Sequence, residues 1–306
     1  MAVGGKVTEK GRIIALRGYF GDVTYSAASQ FKIGIGSTTA TIVDTSMEIA
    51  VPITPTYIDE CDGVGTWSET DEGKAVSTDT TTFKEGYGTT DDTSLNITKD
   101  GTGGVTAVWS FDFGSNIDMT NDDLLVWFYI KDSSTLAKFV DTTVGVVIMV
   151  STAGVATDYK GWGYKRTDLS VGWNLLKMDI SSTADHTLGS TNIATIRYFR
   201  IYYTTTGSAV VTADGDVLMD FWHRGTRDTD YVKTYITGYP TFNESLISST
   251  TRGYLGASEA IGYNLAEYGE FNSDGTIALM SHDITTVISK SSTEEITIEW
   301  NLVITE

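Results

Sequence analysis

Two predicted strands each place aromatic side chains on one face, and one of these faces also carries an arginine. Trp127 and Tyr129 share a strand face in this way. A later strand carries Tyr198, Arg200 and Tyr202 on one face. Aromatic rings can stack on sugar rings, and an arginine beside them can donate hydrogen bonds to sugar hydroxyls. The five residues are therefore candidates for glycan contact, and the alternative is that they pack inside a β-sandwich, as strand aromatics usually do.

The residues that most often carry catalysis are scattered along the chain. The three histidines, His186, His223 and His282, are far apart, and none has the spacing of a metal-binding pair. Cys61 is the only cysteine, which excludes an intrachain disulfide, and its default role is that of a small buried apolar residue. Acidic pairs that could serve a glycosidase arise by chance among 40 Asp and Glu residues. The sequence therefore predicts a protein that is not an enzyme.

The composition limits the classes of partner that this protein can bind. The 306 residues carry a formal net charge of −19, which argues against nucleic acid and anionic membranes because both need Lys- and Arg-rich surfaces. Residues 1–10 have no apolar core of a signal peptide, and no run approaches the length of a membrane span. We therefore expect a protein made in a cytoplasm, without a signal peptide and without membrane insertion.

The elements that must position these residues are mostly strands. Residues 57–224 alternate apolar runs with Gly, Asp, Ser and Thr clusters, a pattern typical of a sandwich of antiparallel sheets. Within this part, strands are predicted at 105–113, 124–131, 143–150, 162–166, 172–180, 196–203 and 216–222. The fold class that follows is all-β, a jelly-roll β-sandwich with a smaller β domain around it.

The flanking segments follow a different pattern. A helix is predicted from Thr8, as N-cap, to Leu16, before Gly18 and Gly21 end it. Strands are predicted at 31–36, 231–237, 242–248, 259–268 and 276–281, with Asp274-Gly275 as a hairpin turn. Strict alternation over 296–304 predicts a final strand that buries one face.

The flanks resemble one known domain. Residues 31–40, Phe-Lys-Ile-Gly-Ile-Gly-Ser-Thr-Thr-Ala, and 44–49, Asp-Thr-Ser-Met-Glu-Ile, resemble the opening of a domain common in phage tail-fibre and other virion appendage proteins. Residues 266–271, Ala-Glu-Tyr-Gly-Glu-Phe, resemble that domain's later turn and hairpin. The resemblance implies one split attachment domain, residues 1–56 and 225–306, with residues 57–224 inserted into it.

The inserted segment resembles carbohydrate-binding-module-like jelly rolls. The similar features are residues 58–63 leading to Trp67, the run Lys-Glu-Gly-Tyr-Gly at 84–88, and a closing acid at Asp220. Jelly rolls of this kind often hold a structural Ca²⁺, and the resemblance implies Asp59, Glu85 and Asp220 as its ligands. The alternative is that these three are ordinary solvated acids.

Together these observations lead to one functional expectation and two alternatives. We expect a non-enzymatic structural protein of a tailed-phage virion, either a tail-fibre or baseplate-type subunit or a head decoration subunit. Its jelly roll would face outward, to stabilise the particle or to contact a host glycan, and its partners would be other virion proteins and further copies of itself in a homo-oligomer. The alternatives are a capsid-surface protein with no ligand, and a carbohydrate-binding adhesin or glycoside hydrolase.

Overall fold

A computed structural model describes residues 2–3, 6–19, 26–41, 43–84, 93–101, 103–244, 248–273 and 279–303. The chain divides into two compact units. A split unit consists of Met1–Pro55 and Gly225–Glu306, and an inserted unit consists of Thr56–Arg224. Nearly all regular structure in both units is strand, so the predicted all-β class with a short N-terminal helix is confirmed. No helix within the described ranges is long and apolar enough to cross a membrane.

The first part of the split unit contains four short strands and the helix. In chain order these elements are β1 (Ala2–Val3), β2 (Lys6–Val7), α1 (Glu9–Tyr19), β3 (Ala28–Gly34) and β4 (Ala50–Val51). Thr8 caps the helix as predicted, because its Oγ1 accepts a hydrogen bond from the Gly11 N–H at 3.1 Å. The helix continues through Gly18 to Tyr19, beyond the predicted end at Leu16, since one interior glycine weakens a helix without breaking it.

The inserted unit contains twelve strands within the described ranges. They are β5 (Thr56–Asp59), β6 (Ser68–Asp71), β7 (Ser77–Asp79), β8 (Ser94–Asn96), β9 (Thr106–Ile117), β10 (Asp122–Ile130), β11 (Val146–Ser151), β12 (Tyr159–Tyr164), β13 (Gly172–Asp179), β14 (His186–Leu188), β15 (Ile196–Thr204) and β16 (Val217–Thr226). A short helix, α2 (Ser133–Leu136), follows β10, and single 3₁₀ turns lie at Arg166–Asp168 and Ile193–Thr195.

These strands form two sheets that share one core. The β10 sheet has the order β13-β10-β16-β8-β7, with β5 also paired to β16, and the β15 sheet has the order β14-β12-β11-β15-β9-β6. Alternation decides which side chains enter the core: Val126 and Phe128 come from β10, and Phe199 and Ile201 come from β15. Each sheet therefore has an inner face toward this core and an outer face away from it.

The ends of the inserted unit lie next to each other. Thr56 at the start of β5 is the register partner of Arg224 near the end of β16. In the split unit, the Ile53 N–H donates to the Asp230 carbonyl at 2.6 Å, so that the flanking chain is also joined close to the point of insertion. A loop whose ends are this close tolerates an inserted domain at little cost.

The second part of the split unit completes two further sheets. Its strands are β17 (Lys233–Thr234), β18 (Thr241–Asn243), β19 (Ser248–Leu255), β20 (Asn264–Asn272), β21 (Leu279–Ser289) and β22 (Ile296–Val303). One sheet has the order β17-β3-β20-β21-β2, with β4 paired to β3, and the other has the order β1-β22-β19-β18. The predicted final strand is confirmed as β22, with Ile298 and Trp300 buried on one face. The predicted turn at Asp274-Gly275 lies outside the described residues.

Close packing at Gly253 gives a test of the split unit. A Cβ atom at this position of β19 would lie 2.6 Å from Cε1 of the fully buried Phe31 ring. We expect Gly253→Ala to lower the free energy of unfolding by about 2 kcal/mol, because a buried ring cannot move aside without strain. Calorimetric unfolding of the full chain measures this. In the control Gly256→Ala the nearest atom is 3.7 Å away, and an equal loss in both variants would contradict the packing argument.

Candidate functional site

The outer face of the β15 sheet carries the largest group of aromatic and basic side chains that sequence reasoning selected. Phe199, Ile201 and Tyr203 of β15 are fully buried in the core. Tyr198, Arg200 and Tyr202 alternate with them and are half-buried on the opposite face. The prediction that these three side chains share a face is confirmed.

Arg200 lies in the middle of this face. In the strand ladders it is opposite Met149 of β11 and Ser110 of β9. Its Nε donates a hydrogen bond to the Ser110 Oγ at 3.0 Å. Partial burial lowers the pKa of Arg200, although the charge of Asp71 acts against this. The hydrogen bond to Ser110 therefore orients the guanidinium, and it is the one hydrogen bond of this side chain among the described residues.

The absence of a carboxylate partner distinguishes Arg200 from the neighbouring arginine. Arg197 binds Asp112 with two parallel hydrogen bonds, from Nε at 2.7 Å and from Nη2 at 2.9 Å. Arg200 forms no ion pair with any residue that the structure describes. In a chain of net charge −19, a half-buried arginine without a carboxylate partner is a group available to bind something else.

Tyr159 joins this group and was missed by sequence reasoning. It lies on β12, on the same face as Gly161 and Gly163, and its electrostatic interactions with Arg200 and Tyr202 show that the three are close. Burial raises the pKa of Tyr202 to about 12, and the neighbouring Tyr159 adds to this shift. The alternation Tyr-x-Gly-x-Gly was the available signal, because it places a tyrosine beside two positions with no side chain. We call Tyr159, Tyr198, Arg200 and Tyr202 the tyrosine face.

The other two glycan candidates lie on the outer face of the β10 sheet. Trp127 is only 6% exposed, and the Lys84 Nζ lies 4.3 Å from the centre of its ring. Burial lowers the pKa of Lys84 to about 8, while Asp220 opposes the shift. Tyr129 packs against Trp173 with ring centres 5.2 Å apart. Trp127 is therefore covered within the protein, whereas Tyr198, Arg200 and Tyr202 stay half-buried, although the Arg197 guanidinium lies 5.3 Å from the Tyr198 ring centre.

The predicted calcium ligands Asp59 and Asp220 accept N–H groups. Asp59 accepts from the Cys61 N–H at 2.7 Å and from the Trp67 indole at 3.2 Å, and burial raises its pKa. Asp220 accepts from the Lys84 N–H at 2.8 Å. Glu85 lies outside the described residues. Two carboxylates fall short of the six to eight oxygens that Ca²⁺ needs, and no metal-binding group of His, Cys, Asp or Glu occurs within the described ranges, so calcium stays a prediction.

The histidines of the inserted unit have structural contacts. His186 Nε2 lies 2.9 Å from the Thr143 carbonyl. His223 is buried, its Nδ1 lies 2.9 Å from the Phe221 carbonyl, and burial lowers its pKa to about 4. Neither contact places a proton-transfer group beside a nucleophile.

A buried carboxylate brings the two halves of the split unit together. Glu267 of β20 is fully buried, and its oxygens accept the N–H of Gly36 at 3.3 Å, the N–H of Ile49 at 3.0 Å and the N–H of Glu48. His282 of β21 contacts the same carboxylate through Nε2 at 2.9 Å. We call this arrangement the Glu267 clasp, and it joins the two sequence segments that resemble one appendage domain.

Comparison with known proteins gives only distant similarities. No family model and no curated protein matches the chain. Among solved structures it is similar to a family 11 carbohydrate-binding module of Clostridium thermocellum, at 12% identity over 57% of this chain and 95% of that one, with a TM-score of 0.36. It is also similar to the carbohydrate-binding module CBM27-1 of Caldicellulosiruptor saccharolyticus, at 12% identity over 56% and 96%, with a TM-score of 0.35. A third is the glycoside hydrolase domain of Endo-D from Streptococcus pneumoniae, at 11% identity over 76% and 32%, with a TM-score of 0.29. Scores this low do not establish a shared ligand.

Removing the charge of the clasp tests its contribution to stability. We expect Glu267→Gln to lower the free energy of unfolding of the full chain by about 3 kcal/mol, because an amide N–H₂ group then faces backbone N–H donors in a buried site. Urea titration measures the change. The matched control is Glu299→Gln, which removes a carboxylate paired with Arg252 at the surface of the same unit and should leave stability close to wild type. Equal effects of both substitutions would contradict the role of the clasp.

The clasp also predicts how stability depends on pH. Burial acts to lower the pKa of His282, but hydrogen bonds to Glu267 and Asp44 outweigh it and raise the pKa. A raised histidine pKa contributes stability that is fully present below about pH 6.5 and is lost as pH rises through the raised value. Burial acts to raise the pKa of Asp44, but hydrogen bonds from Thr41 and His282 outweigh it and lower the pKa. The N–H of Thr38 likewise lowers the pKa of Glu48 against burial, so both acids stay charged over this range.

The measurement is the free energy of unfolding of wild type and His282→Gln at several pH values from 5.5 to 9. The difference between the two proteins should shrink as pH rises, because the wild type alone loses the charged histidine. A difference that is constant or grows with pH would show that His282 does not act through its charge.

Proposed function

We propose that this chain is a non-enzymatic attachment protein whose inserted unit binds a glycan through the tyrosine face. The observation that carries the proposal is the half-buried Arg200, which forms no ion pair with the described residues and lies between tyrosines on the outer face of a sheet. The inner face of the same strand fills the core, so the aromatic side chains of the outer face are not needed for packing between the sheets.

The chemistry of the tyrosine face suits a carbohydrate. Tyrosine rings present apolar surface to the C–H groups of a sugar ring and keep a hydroxyl for hydrogen bonding. The guanidinium of Arg200 presents several N–H donors in a fixed plane to ring or exocyclic oxygens. The Tyr202 hydroxyl is protonated at neutral pH, as a tyrosine ordinarily is, so that it too can donate a hydrogen bond.

The role of the split unit is a separate proposal. We infer from its sequence resemblance that it attaches the inserted unit to a tailed-phage virion, as a tail-fibre, baseplate-type or capsid decoration subunit in an oligomer. The Glu267 clasp supports this proposal. It brings together Gly36, Glu48 and Glu267, which belong to the segments on which the resemblance rests. Immunogold labelling of purified particles tests this part, and unlabelled particles would contradict it without affecting the glycan proposal.

Loss of the tyrosine face should remove glycan binding. We expect wild type to bind at least one polysaccharide of a panel of β-glucan, mannan, xylan and bacterial surface polysaccharides in affinity electrophoresis. Tyr202→Ala and Arg200→Gln should each weaken this binding at least tenfold, which is about 1.4 kcal/mol. Tyr202→Ala removes a ring that would stack on the sugar, and Arg200→Gln removes a charged hydrogen-bond donor.

The matched control is Tyr129→Ala, which removes a half-buried tyrosine from the outer face of the other sheet. We expect Tyr129→Ala to bind the polysaccharide with an affinity within about twofold of wild type. A twofold change is well below the tenfold loss expected for Tyr202→Ala and Arg200→Gln. Unchanged melting temperatures show that the variants are folded. If wild type binds no glycan of the panel, or if Tyr129→Ala loses binding as strongly as Tyr202→Ala, the tyrosine face is not the binding site.

A further inference from the structure

The split unit contains a cavity of about 390 Å³ that the attachment role does not use. Helix α1 contributes Ile14 and Ala15 to its wall, β18 and β22 contribute Phe242 and Trp300, and β20 contributes Glu270. The wall is mainly apolar with a few polar groups, and its volume lies within the range of small-molecule sites in proteins.

Glu270 is the charged residue of this wall, and it has no cation beside it. The side chain is 7% exposed and forms no ion pair with the described residues. Its Oε1 accepts hydrogen bonds from the hydroxyls of Tyr235, at 3.0 Å, and of Thr251, and the side chain also accepts one from Ser281. Burial raises the pKa of Glu270 while these hydroxyls oppose the shift. The protein thus keeps a costly buried carboxyl at the edge of an apolar space.

Trp300 adds a hydrogen-bond donor without an acceptor. The residue lines the cavity and is 2% exposed, and its indole Nε1 is buried without a hydrogen-bond partner among the described residues. Buried indole N–H groups usually have a partner, and an exception calls for an explanation. A ligand in the cavity that supplies an acceptor is one such explanation.

The two polar groups restrict the chemistry of that ligand. A carboxylate has about four acceptor sites, so Glu270 can accept one more donor beside its three hydroxyl partners, and the indole N–H of Trp300 calls for an acceptor. One hydroxyl group is both. A carboxylate ligand would be repelled by Glu270 and by the net charge of −19, and an ammonium group has no lone pair to offer the indole.

We propose that this cavity binds a small, uncharged and mainly apolar molecule that carries a hydroxyl group, held between Glu270 and Trp300. The apolar part of the molecule lies against Ile14 and Phe242. Phe242 is 76% exposed, which leaves a large apolar side chain at the wall in contact with solvent when the cavity is empty. The proposal concerns the split unit alone and does not depend on glycan binding by the inserted unit.

The test compares three probes with the same chain and different head groups: 1-octanol, octanoate and octylamine. Isothermal titration calorimetry of the full chain at pH 7 should show saturable binding of one octanol per chain. Octanoate and octylamine should bind at least tenfold more weakly. Equal affinity for all three, or tighter binding of octylamine, would overturn the hydroxyl assignment, and no saturable binding of octanol would overturn the site.

Two neighbouring substitutions on α1 locate the binding. Ala15→Phe places a ring at the cavity wall and should weaken octanol binding at least tenfold. Leu16→Phe puts the same ring on a residue that does not line the cavity and is 60% exposed, and it should leave affinity within twofold. Trp300→Phe removes the indole N–H together with part of the ring, and it should reduce the preference for octanol over octylamine, because of these two probes only octanol offers the indole a lone pair. Unchanged octanol affinity in Ala15→Phe would show that the probe binds elsewhere.

Discussion

The carboxylate of Glu267 is the interaction on which the split unit depends. It is fully buried, and a buried carboxylate is tolerated only where hydrogen bonds replace its hydration. Here the replacement comes from backbone N–H groups of residues 36–49, and the contact to Ile49 joins positions 218 residues apart in the sequence. The chain between them must therefore leave and return at neighbouring points. The pairing of Thr56 with Arg224 shows how the inserted unit meets this requirement.

The alternation of apolar and polar residues along the strands made much of this fold predictable from the sequence. The runs that became β15 and β22 place apolar residues at every second position, and such a pattern can bury only one consistent face. The Ser- and Thr-rich strand β19 was missed, because its residues have no such contrast and it is held by its register with β22. Short strands such as β6, exposed along its length, were missed for the same reason.

The candidate site was partly predictable, and the part that was not depends on long-range packing. Spacing alone placed Tyr198, Arg200 and Tyr202 on one face, but Trp127 and Tyr129 had the same spacing. Tertiary contacts separate the two sets. Lys84, which is 43 residues earlier in the chain, lies over the ring of Trp127. Tyr159 could join the site only through the pairing of β12 with β11 and of β11 with β15.

The same physical rule applies to both proposed sites. Among the described residues, Arg197 is paired with Asp112 and His282 is paired with Glu267. A protein gains stability by pairing such groups, so one that stays unpaired at a surface or cavity wall is a cost to folding. Trp300 is a group of this kind at the cavity of the split unit, and Arg200 of the tyrosine face donates one hydrogen bond to Ser110 but forms no ion pair with the described residues. Ligands that pair with them would offset that cost, and this is the physical reason for assigning a carbohydrate to the first and an apolar alcohol to the second.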